Sequence, residues 1–247
     1  MVKTYRVIQK WDSWLGSYLG QELIATEKQL LQEIIASKYA KFGLVVGVPS
    51  QSVLLDDLNV AKNIVLSQIN GDKDDVEYVE SNYSELPILS GSLECLVLPH
   101  ILELLDNPRR LLSEACRVIK PEGKIVIYCF NKFSLWGIAN QFRRKNYPYW
   151  PKHYISAGMV KEWLELEHFE LVSHHYLMFR PKAKPGIFKK LKFLEWIGKK
   201  LHLPLGGVYA ITAKAKVVPL TPIKLNWQQQ LSALKVSFDG PTMRDMK

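Results

Sequence analysis

The sequence predicts an α/β fold built on a largely parallel sheet. Apolar runs with strand character alternate with amphipathic segments along the chain. Residues 93–99, 108–120 and 124–130 read in succession as strand, helix and strand, with a Pro-x-Gly turn before the second strand. The two strands of such a unit run parallel and are joined by a right-handed crossover. Two further strands, at residues 169–179 and 208–216, close the pattern.

The elements before residue 100 follow from hydrophobic periodicity. Residues 20–39 carry apolar side chains at the three- and four-residue spacing of an amphipathic helix. A strand at 42–48 is broken by a turn that leads into a short helix. The later apolar runs are short and are predicted to be strands, at residues 63–69, 76–79 and 93–99.

The second half has clearer start and stop signals. Asn107-Pro108 opens a helix that ends at Lys120-Pro121-Glu122-Gly123. A second helix is predicted at residues 156–167, and a basic amphipathic piece at 186–201 precedes the last strand. Residues 217–247 show little periodicity and are expected to form an extended or partly disordered tail.

Composition restricts the class of protein. The chain has 247 residues, of which 47% are hydrophobic and 23% charged, which excludes a disordered or fibrous protein. Cys95, Cys116 and Cys129 lie in apolar runs without metal-ligand spacing, so buried thiols are expected rather than disulfides or a metal site. The N-terminus lacks an apolar signal region and no apolar stretch is long enough to span a bilayer, so we expect a cytoplasmic protein.

Positive charge is concentrated in the last quarter of the sequence. From residue 180 onward there are fourteen Lys and Arg against three acidic residues, whereas the whole chain carries +9. Such an asymmetry usually marks a surface that faces an anionic partner. Phosphate, lipid headgroups and nucleic acid all remain open at this point.

The centre of the chain resembles a known enzyme family. The order and spacing of four features resemble those of class I S-adenosylmethionine-dependent methyltransferases of the type 11 branch. These features are Leu86-Pro87, the strand at 93–99, the helix begun by Asn107-Pro108, and the run Arg117-Val118-Ile119-Lys120-Pro121-Glu122-Gly123. The resemblance implies a Rossmann-like, doubly wound sheet of seven strands, mostly parallel, with an antiparallel last strand. It implies a methyltransferase-like domain over residues 1–216.

The resemblance also implies where the cofactor, S-adenosylmethionine, and its product S-adenosylhomocysteine would bind. Ligands of such sheets lie at the carboxyl ends of the strands. The first loop keeps only the first glycine of the family's glycine motif and therefore departs from it. The candidates in this loop are Gly47, Pro49, Ser50 and Ser52. Pro49 removes an amide donor, whereas both serine hydroxyls can cap a helix or hold a carboxylate.

Four later turns, the last of them at residues 130–133, complete the expected cofactor site. Gln68, or alternatively Ser67, stands where the family has an acidic residue for the ribose, so a weaker contact is expected. Asn82 and Tyr83 are candidates for the adenine side, and an amide can both donate and accept there. Pro99 and His100 follow the central strand, and His100 is a candidate base or cofactor contact, with local helix capping as the alternative.

An acceptor-binding cap is expected at residues 131–155, which are aromatic and basic. Within it, His153 and Tyr154 are candidate acid or base groups. The basic insertion at 180–206 contains the amphipathic piece, which could pack on the sheet or lie on an anionic membrane. Nucleic-acid binding is not expected, since no recognition motif accompanies the lysines.

Two functions therefore remain open. The first is a methyltransferase acting on a small or lipid-like acceptor. The second is a catalytically inactive protein of the same fold that binds a partner through its basic C-terminal region. A nicotinamide-dependent dehydrogenase is disfavoured, since no G-x-G-x-x-G follows the first strand.

Overall fold

The computed structural model describes residues 2–35, 40–56, 60–71, 76–138, 154–181, 185–200 and 203–216. The predicted tail at 217–247 and most of the predicted cap lie outside these residues. Seven strands form one sheet within the described part of the chain. They are β1 (Ala40–Val46), β2 (Val60–Ser67), β3 (Glu77–Glu80), β4 (Leu93–Pro99), β5 (Ile119–Phe130), β6 (Phe169–Leu177) and β7 (Val208–Ala215).

The strand order is β3-β2-β1-β4-β5-β7-β6. All neighbouring pairs up to β5 are parallel, while β7 runs antiparallel to both β5 and β6. This confirms the predicted seven-stranded, mostly parallel sheet with an antiparallel last strand. The strand order reverses between β1 and β4. The loops that leave the carboxyl ends of these two strands therefore run in opposite directions, and a crevice lies between them.

Six α-helices whose bounds lie within the described residues accompany the sheet, with a short 3-10 helix, Pro49–Leu54, directly after β1. The α-helices are α1 (Val2–Leu15), α2 (Tyr18–Ile35), α3 (Pro108–Val118), α4 (Ala157–Leu166), α5 (Pro185–Lys190) and α6 (Lys192–Lys200). Asn107 caps α3 by accepting a hydrogen bond from the Arg110 amide, and Ser156 caps α4 in the same way through the Met159 amide.

The core follows from the central strands, whose side chains are buried on both faces. Leu96, Val97 and Leu98 of β4 and the residues from Ile125 to Phe130 of β5 are almost completely inaccessible. Both faces must therefore be covered, which explains the continuous apolar runs in the sequence. All three cysteines are buried and free, as predicted.

Three elements differ from the sequence-based prediction. Helix α1 was not predicted. The basic piece at 186–201 is two helices, α5 and α6, rather than one. The Pro-x-Gly turn is part of β5. The bend is accommodated by the left-handed backbone of Glu122 (φ 67°) and by a shift in the pairing register with β4, between Leu93 and Cys95 of that strand.

Candidate functional site

The crevice between β1 and β4 is occupied by the side chain of Gln51. Its Oε1 accepts a hydrogen bond from the Val48 amide (3.0 Å), and its Nε2 donates to the Pro99 carbonyl (3.0 Å). Gln51 is completely buried, and a Cβ at Gly47 would lie 2.3 Å from its Oε1. A glycine at position 47 is therefore required for the close approach of the Gln51 side chain. The side-chain amide of Gln51 joins the carboxyl ends of β1 and β4.

Helix α1 covers the same crevice from outside. The Asp12 carboxylate accepts a hydrogen bond from the Ser50 amide (3.0 Å). The Trp11 ring is 1% exposed and lies 5.5 Å from the ring of His100 and 5.8 Å from that of Phe130, centre to centre. The first loop and the end of β4 are consequently both screened from solvent by α1.

Tyr83 links three strand ends. Its hydroxyl donates to the Gly47 carbonyl (2.8 Å) and accepts from the Gln68 amide (3.2 Å). Tyr83 is 1% exposed, and burial raises the pKa of its hydroxyl to about 12, so it stays protonated. The phenol fixes the ends of β1 and β2 relative to the turn that follows β3.

An open pocket lies beside Tyr83, with a volume of about 850 Å³. It is bounded by the end of β2, the turn after β3, the loop that precedes α3, and the beginning of α1. Its lining residues are Thr4, Tyr5, Gln68, Glu80, Ser81, Asn82, Tyr83, Ser84, Leu105, Asp106 and Asn107. This size is typical of small-molecule and cofactor sites.

A buried cluster of charged side chains lies under Trp11. His100 Nε2 is 2.6 Å from Glu27 Oε1, and His100 Nδ1 is 3.2 Å from Glu103 Oε2. All three side chains are at most 1% exposed. The Phe130 amide also donates to both carboxylate oxygens of Glu103 (3.0 Å), so the cluster joins the ends of β4 and β5.

The cluster favours a protonated imidazole. Burial lowers the pKa of His100, but the Glu27 carboxylate and the hydrogen bonds that the imidazole donates to Glu103 and Glu27 outweigh this effect and raise the pKa to about 9. Burial raises the pKa of Glu103 to about 7, against the opposing effect of its hydrogen bond to His100. His100 itself has a left-handed backbone (φ 58°), which is unusual for a residue with a side chain.

The predicted cofactor residues fall into two groups. Gln68, Asn82 and Tyr83 line the open pocket. The others belong to the screened crevice or the loop beside it, and they are Gly47, Pro49, Ser50, Ser52, Pro99 and His100. Tyr154 is half-buried against the hydrophobic core, and His153 lies outside the described residues.

Sequence reasoning missed Trp11, Asp12, Gln51, Glu27 and Glu103. A signal for α1 was present, because Val7, Ile8, Trp11, Trp14 and Leu15 follow helical spacing. In the sequence, Gln51 stands only as a departure from the family's glycine motif. The polar contacts of the two glutamates join residues far apart in the chain, and periodicity carries no information about such contacts.

Comparison with known proteins identifies the central part of the chain. Residues 40–127 match the family described as methyltransferase domain. The chain is 30% identical over 171 residues to YafS, an uncharacterized protein of Escherichia coli strain K12, covering 67% of this chain and 62% of that protein. It is 32% identical over 97 residues to the ubiquinone/menaquinone biosynthesis C-methyltransferase UbiE of Hahella chejuensis, covering 37% and 38% of the two chains.

The fold has counterparts among solved structures. An S-adenosylmethionine-dependent methyltransferase from Thermotoga maritima aligns with a TM-score of 0.64 and 17% identity, over 85% of this chain and all of the other. The chain thus spans less than two thirds of the length of YafS and of UbiE, but the whole of this structural neighbour. The match over residues 40–127 confirms the predicted resemblance to methyltransferases of the type 11 branch, and the structural neighbour confirms the predicted fold.

Proposed function

We propose that this chain, whose residues 40–127 form a methyltransferase domain of the class I S-adenosylmethionine-dependent family, transfers a methyl group to a small or lipid-like acceptor. The observation that carries the proposal is the open pocket beside Tyr83, at the carboxyl edge of a sheet of this family. Ligands of doubly wound sheets lie at that edge.

The polar groups of the pocket suit an adenosyl group. The Asn82 side chain is exposed, and its amide can donate and accept at a purine edge. Gln68, half-buried at the end of β2, offers a neutral acceptor to ribose hydroxyls. Tyr83 supplies an aromatic wall that its two hydrogen bonds hold in place.

The amino-acid end of the cofactor would lie against the loop after β1. Pro49 has no amide hydrogen, so Ser50 provides the first free donor of the short helix once Asp12 withdraws. The closed arrangement is itself imperfectly satisfied, because Trp11 Nε1 and Glu27 Oε2 are buried without a hydrogen-bond partner among the described residues. Each unsatisfied group of this kind costs about 1–3 kcal/mol. We infer that α1 shifts when the cofactor binds.

The chemistry required of the protein is modest. The cofactor supplies an electrophilic methyl group on a sulfonium centre. The side chains must align the acceptor with that methyl group and exclude water, and a base is needed only where the acceptor is a hydroxyl. His100 in its present position is screened by Trp11 and favours the protonated form, so a role as base requires that α1 moves and that the imidazole loses its proton. Tyr154 and His153 remain proposals for the acceptor side.

A second candidate function rests on Gln51. Its side chain fills the crevice next to Gly47, where a cofactor would otherwise approach the backbone. If Gln51 stays there, the domain is a catalytically inactive member of the fold, and its basic C-terminal region is the functional part. A tightly hydrogen-bonded, fully buried amide favours this alternative.

The acceptor and the cellular location are part of the proposal. UbiE, which resembles part of this chain, takes part by name in ubiquinone and menaquinone biosynthesis, so a lipid-like acceptor is consistent with that resemblance. No helix in the described part of the chain has the length and apolar character to cross a bilayer. We propose a cytoplasmic protein that can be peripheral to a membrane through residues 186–201.

Titration calorimetry with S-adenosylhomocysteine and S-adenosylmethionine tests the function. We expect saturable one-to-one binding, weakened several-fold by Asn82→Ala through loss of one or two hydrogen bonds. The matched control is Asn70→Ala, since Asn70 is also an exposed asparagine beyond a strand end but does not line the pocket. Absence of heat with either ligand at high micromolar concentration would favour the inactive alternative.

A further inference from the structure

Large apolar side chains are exposed in two segments of the described chain. Phe133 is 71% exposed and Trp196 is 64% exposed. Together with Leu135, Phe193 and Leu205, each more than half exposed, they form what we call the apolar rim. Exposed apolar side chains of this size, grouped together, usually mark an interaction surface.

Hydrogen bonds join the two segments of the apolar rim. Asn131 donates from its side chain to the Pro204 carbonyl (2.8 Å) and from its amide to the Gly207 carbonyl (2.9 Å). Trp136 Nε1 donates to the Arg180 carbonyl (2.6 Å). Because Arg180 and Pro204 flank α5 and α6 in the chain, the segment that carries Phe133 and Leu135 lies next to the base of these helices.

The segment that carries Phe193 and Trp196 is rich in lysine, and Lys190 and Lys200 are exposed there. Residues 182–200 contain seven lysines and a single acidic residue, Glu195. That carboxylate is paired with Arg180 (3.1 Å), so its charge is already balanced within the described residues. Lys200 Nζ lies 4.7 Å from the centre of the Trp196 ring, which places a charge directly beside an exposed aromatic side chain.

We propose that the apolar rim docks on an anionic lipid bilayer. Exposed tryptophan and phenylalanine surrounded by lysine is the composition of interfacial membrane surfaces, where aromatic rings enter the headgroup region and lysines meet anionic lipids. A nucleic acid would use the lysines but would not require exposed Leu135, Phe193 and Leu205. The combination therefore favours the bilayer.

Part of the rim lies at the same edge of the sheet as the candidate site, because Phe133 and Leu135 follow β5 and the pocket lies at the carboxyl ends of β2 and β3. Phe188 of α5 packs against Tyr18 at the start of α2 (6.0 Å between ring centres) and under the Arg180 guanidinium (3.9 Å). Phe133 and Leu135 follow β5 directly, at the carboxyl edge of the sheet. Docking would bring the edge that holds the cofactor close to lipid, a consequence that rests on the proposed methyltransferase function.

Vesicle cosedimentation of the full chain tests the surface. The probes are vesicles of phosphatidylcholine alone and of phosphatidylcholine with phosphatidylglycerol. We expect binding to the anionic vesicles only, reduced about tenfold by Trp196→Ala and about fivefold by Lys200→Ala. Leu205→Ala should weaken binding, whereas Leu89→Ala should leave it unchanged, since Leu89 is 79% exposed just before the amino end of β4, away from the rim.

Several outcomes would overturn the proposal. Equal binding to both kinds of vesicle, or no binding to either, would exclude an anionic bilayer as the partner. Equal effects of Leu205→Ala and Leu89→Ala would show that the rim is not the binding surface. Complete displacement by RNA with no effect of Trp196→Ala would point to a nucleic acid instead. Circular dichroism of each variant shows that it is folded. S-adenosylhomocysteine binding is measured on the same samples. Failure of vesicle binding alone removes the docking surface, and failure of ligand binding alone removes the proposed function.

Discussion

The carboxylate of Asp12 and the backbone amide of Ser50 are joined by a hydrogen bond of 3.0 Å, across 38 residues of sequence. One belongs to the first helix and the other to the loop that the family uses for its cofactor. A side-chain anion of the chain itself thus holds a donor that a ligand carboxylate would need. The N-terminal helix thus covers the loop after β1, next to the open pocket.

Asp12→Ala should therefore increase affinity for S-adenosylhomocysteine by about tenfold, since a hydrogen bond to a charged group contributes about 1.5–3 kcal/mol and the ligand no longer competes with it. Calorimetry measures the affinity. Hydrogen exchange of α1 amides should be faster in this variant than in the wild type without ligand, because α1 loses its tie to the loop.

Ser13→Ala is the matched control for Asp12→Ala. Ser13 is exposed on the same helix and its hydroxyl bonds within the helix, to the Gln9 carbonyl. It should change neither affinity nor exchange. Unchanged or weaker ligand binding in Asp12→Ala would show that Asp12 does not compete, and unchanged exchange would show that it does not hold α1.

Gln68→Glu is a second gain-of-affinity prediction. The side chain lines the pocket at the end of β2, where the family has an acidic residue for the ribose. An ionised acceptor contributes about 1 kcal/mol more than a neutral one, so binding should tighten several-fold, and Gln68→Ala should weaken it. Asn70→Asp adds the same charge outside the pocket lining and serves as control. Equal affinities in all four proteins would place the ribose elsewhere.

The sheet could be predicted from the sequence because its determinants are local. The LECLVLP run of β4, the Asn107 cap of α3 and the alternation in β7 each specify an element within a few residues. Of the predicted site residues, Gln68, Asn82 and Tyr83 converge on one pocket while the first loop is closed by other side chains, and their role in cofactor binding stays a prediction. That closure depends on Gln51 and on Asp12, whose partners are set by tertiary packing rather than by local pattern.

Tyr83→Phe should lower the free energy of unfolding by about 1–3 kcal/mol. The change removes the hydroxyl that satisfies the Gly47 carbonyl and the Gln68 amide, and both lie where water cannot easily replace it. A melting temperature lower by about 2–4 °C per kcal/mol is expected from calorimetry. Tyr5→Phe, at a tyrosine that is 43% exposed, should be neutral. Equal stability of Tyr83→Phe and wild type would mean that the bridge is dispensable.

The buried cluster predicts how stability depends on pH. The folded protein raises the pKa of His100 to about 9 from 6.5, so this contribution is complete below about pH 6.5 and is lost as pH rises through 9. It raises the pKa of Glu103 to about 7 from 4.5, so that contribution is complete below about pH 4.5 and is lost as pH rises through 7. Both groups therefore make the fold less stable toward alkaline pH.

Glu103→Gln should flatten this dependence. Glutamine can still accept from the Phe130 amide, but it does not titrate, and it leaves His100 with one carboxylate neighbour fewer. The fall in melting temperature from pH 5 to pH 9 should be smaller in the variant, measured by calorimetry in matched buffers. The other titrating groups, such as His174, are common to both proteins, so the difference between the curves isolates the cluster. Glu170→Gln, at an exposed glutamate of β6, should reproduce the wild-type curve, and the same curve for Glu103→Gln would remove the cluster as the cause.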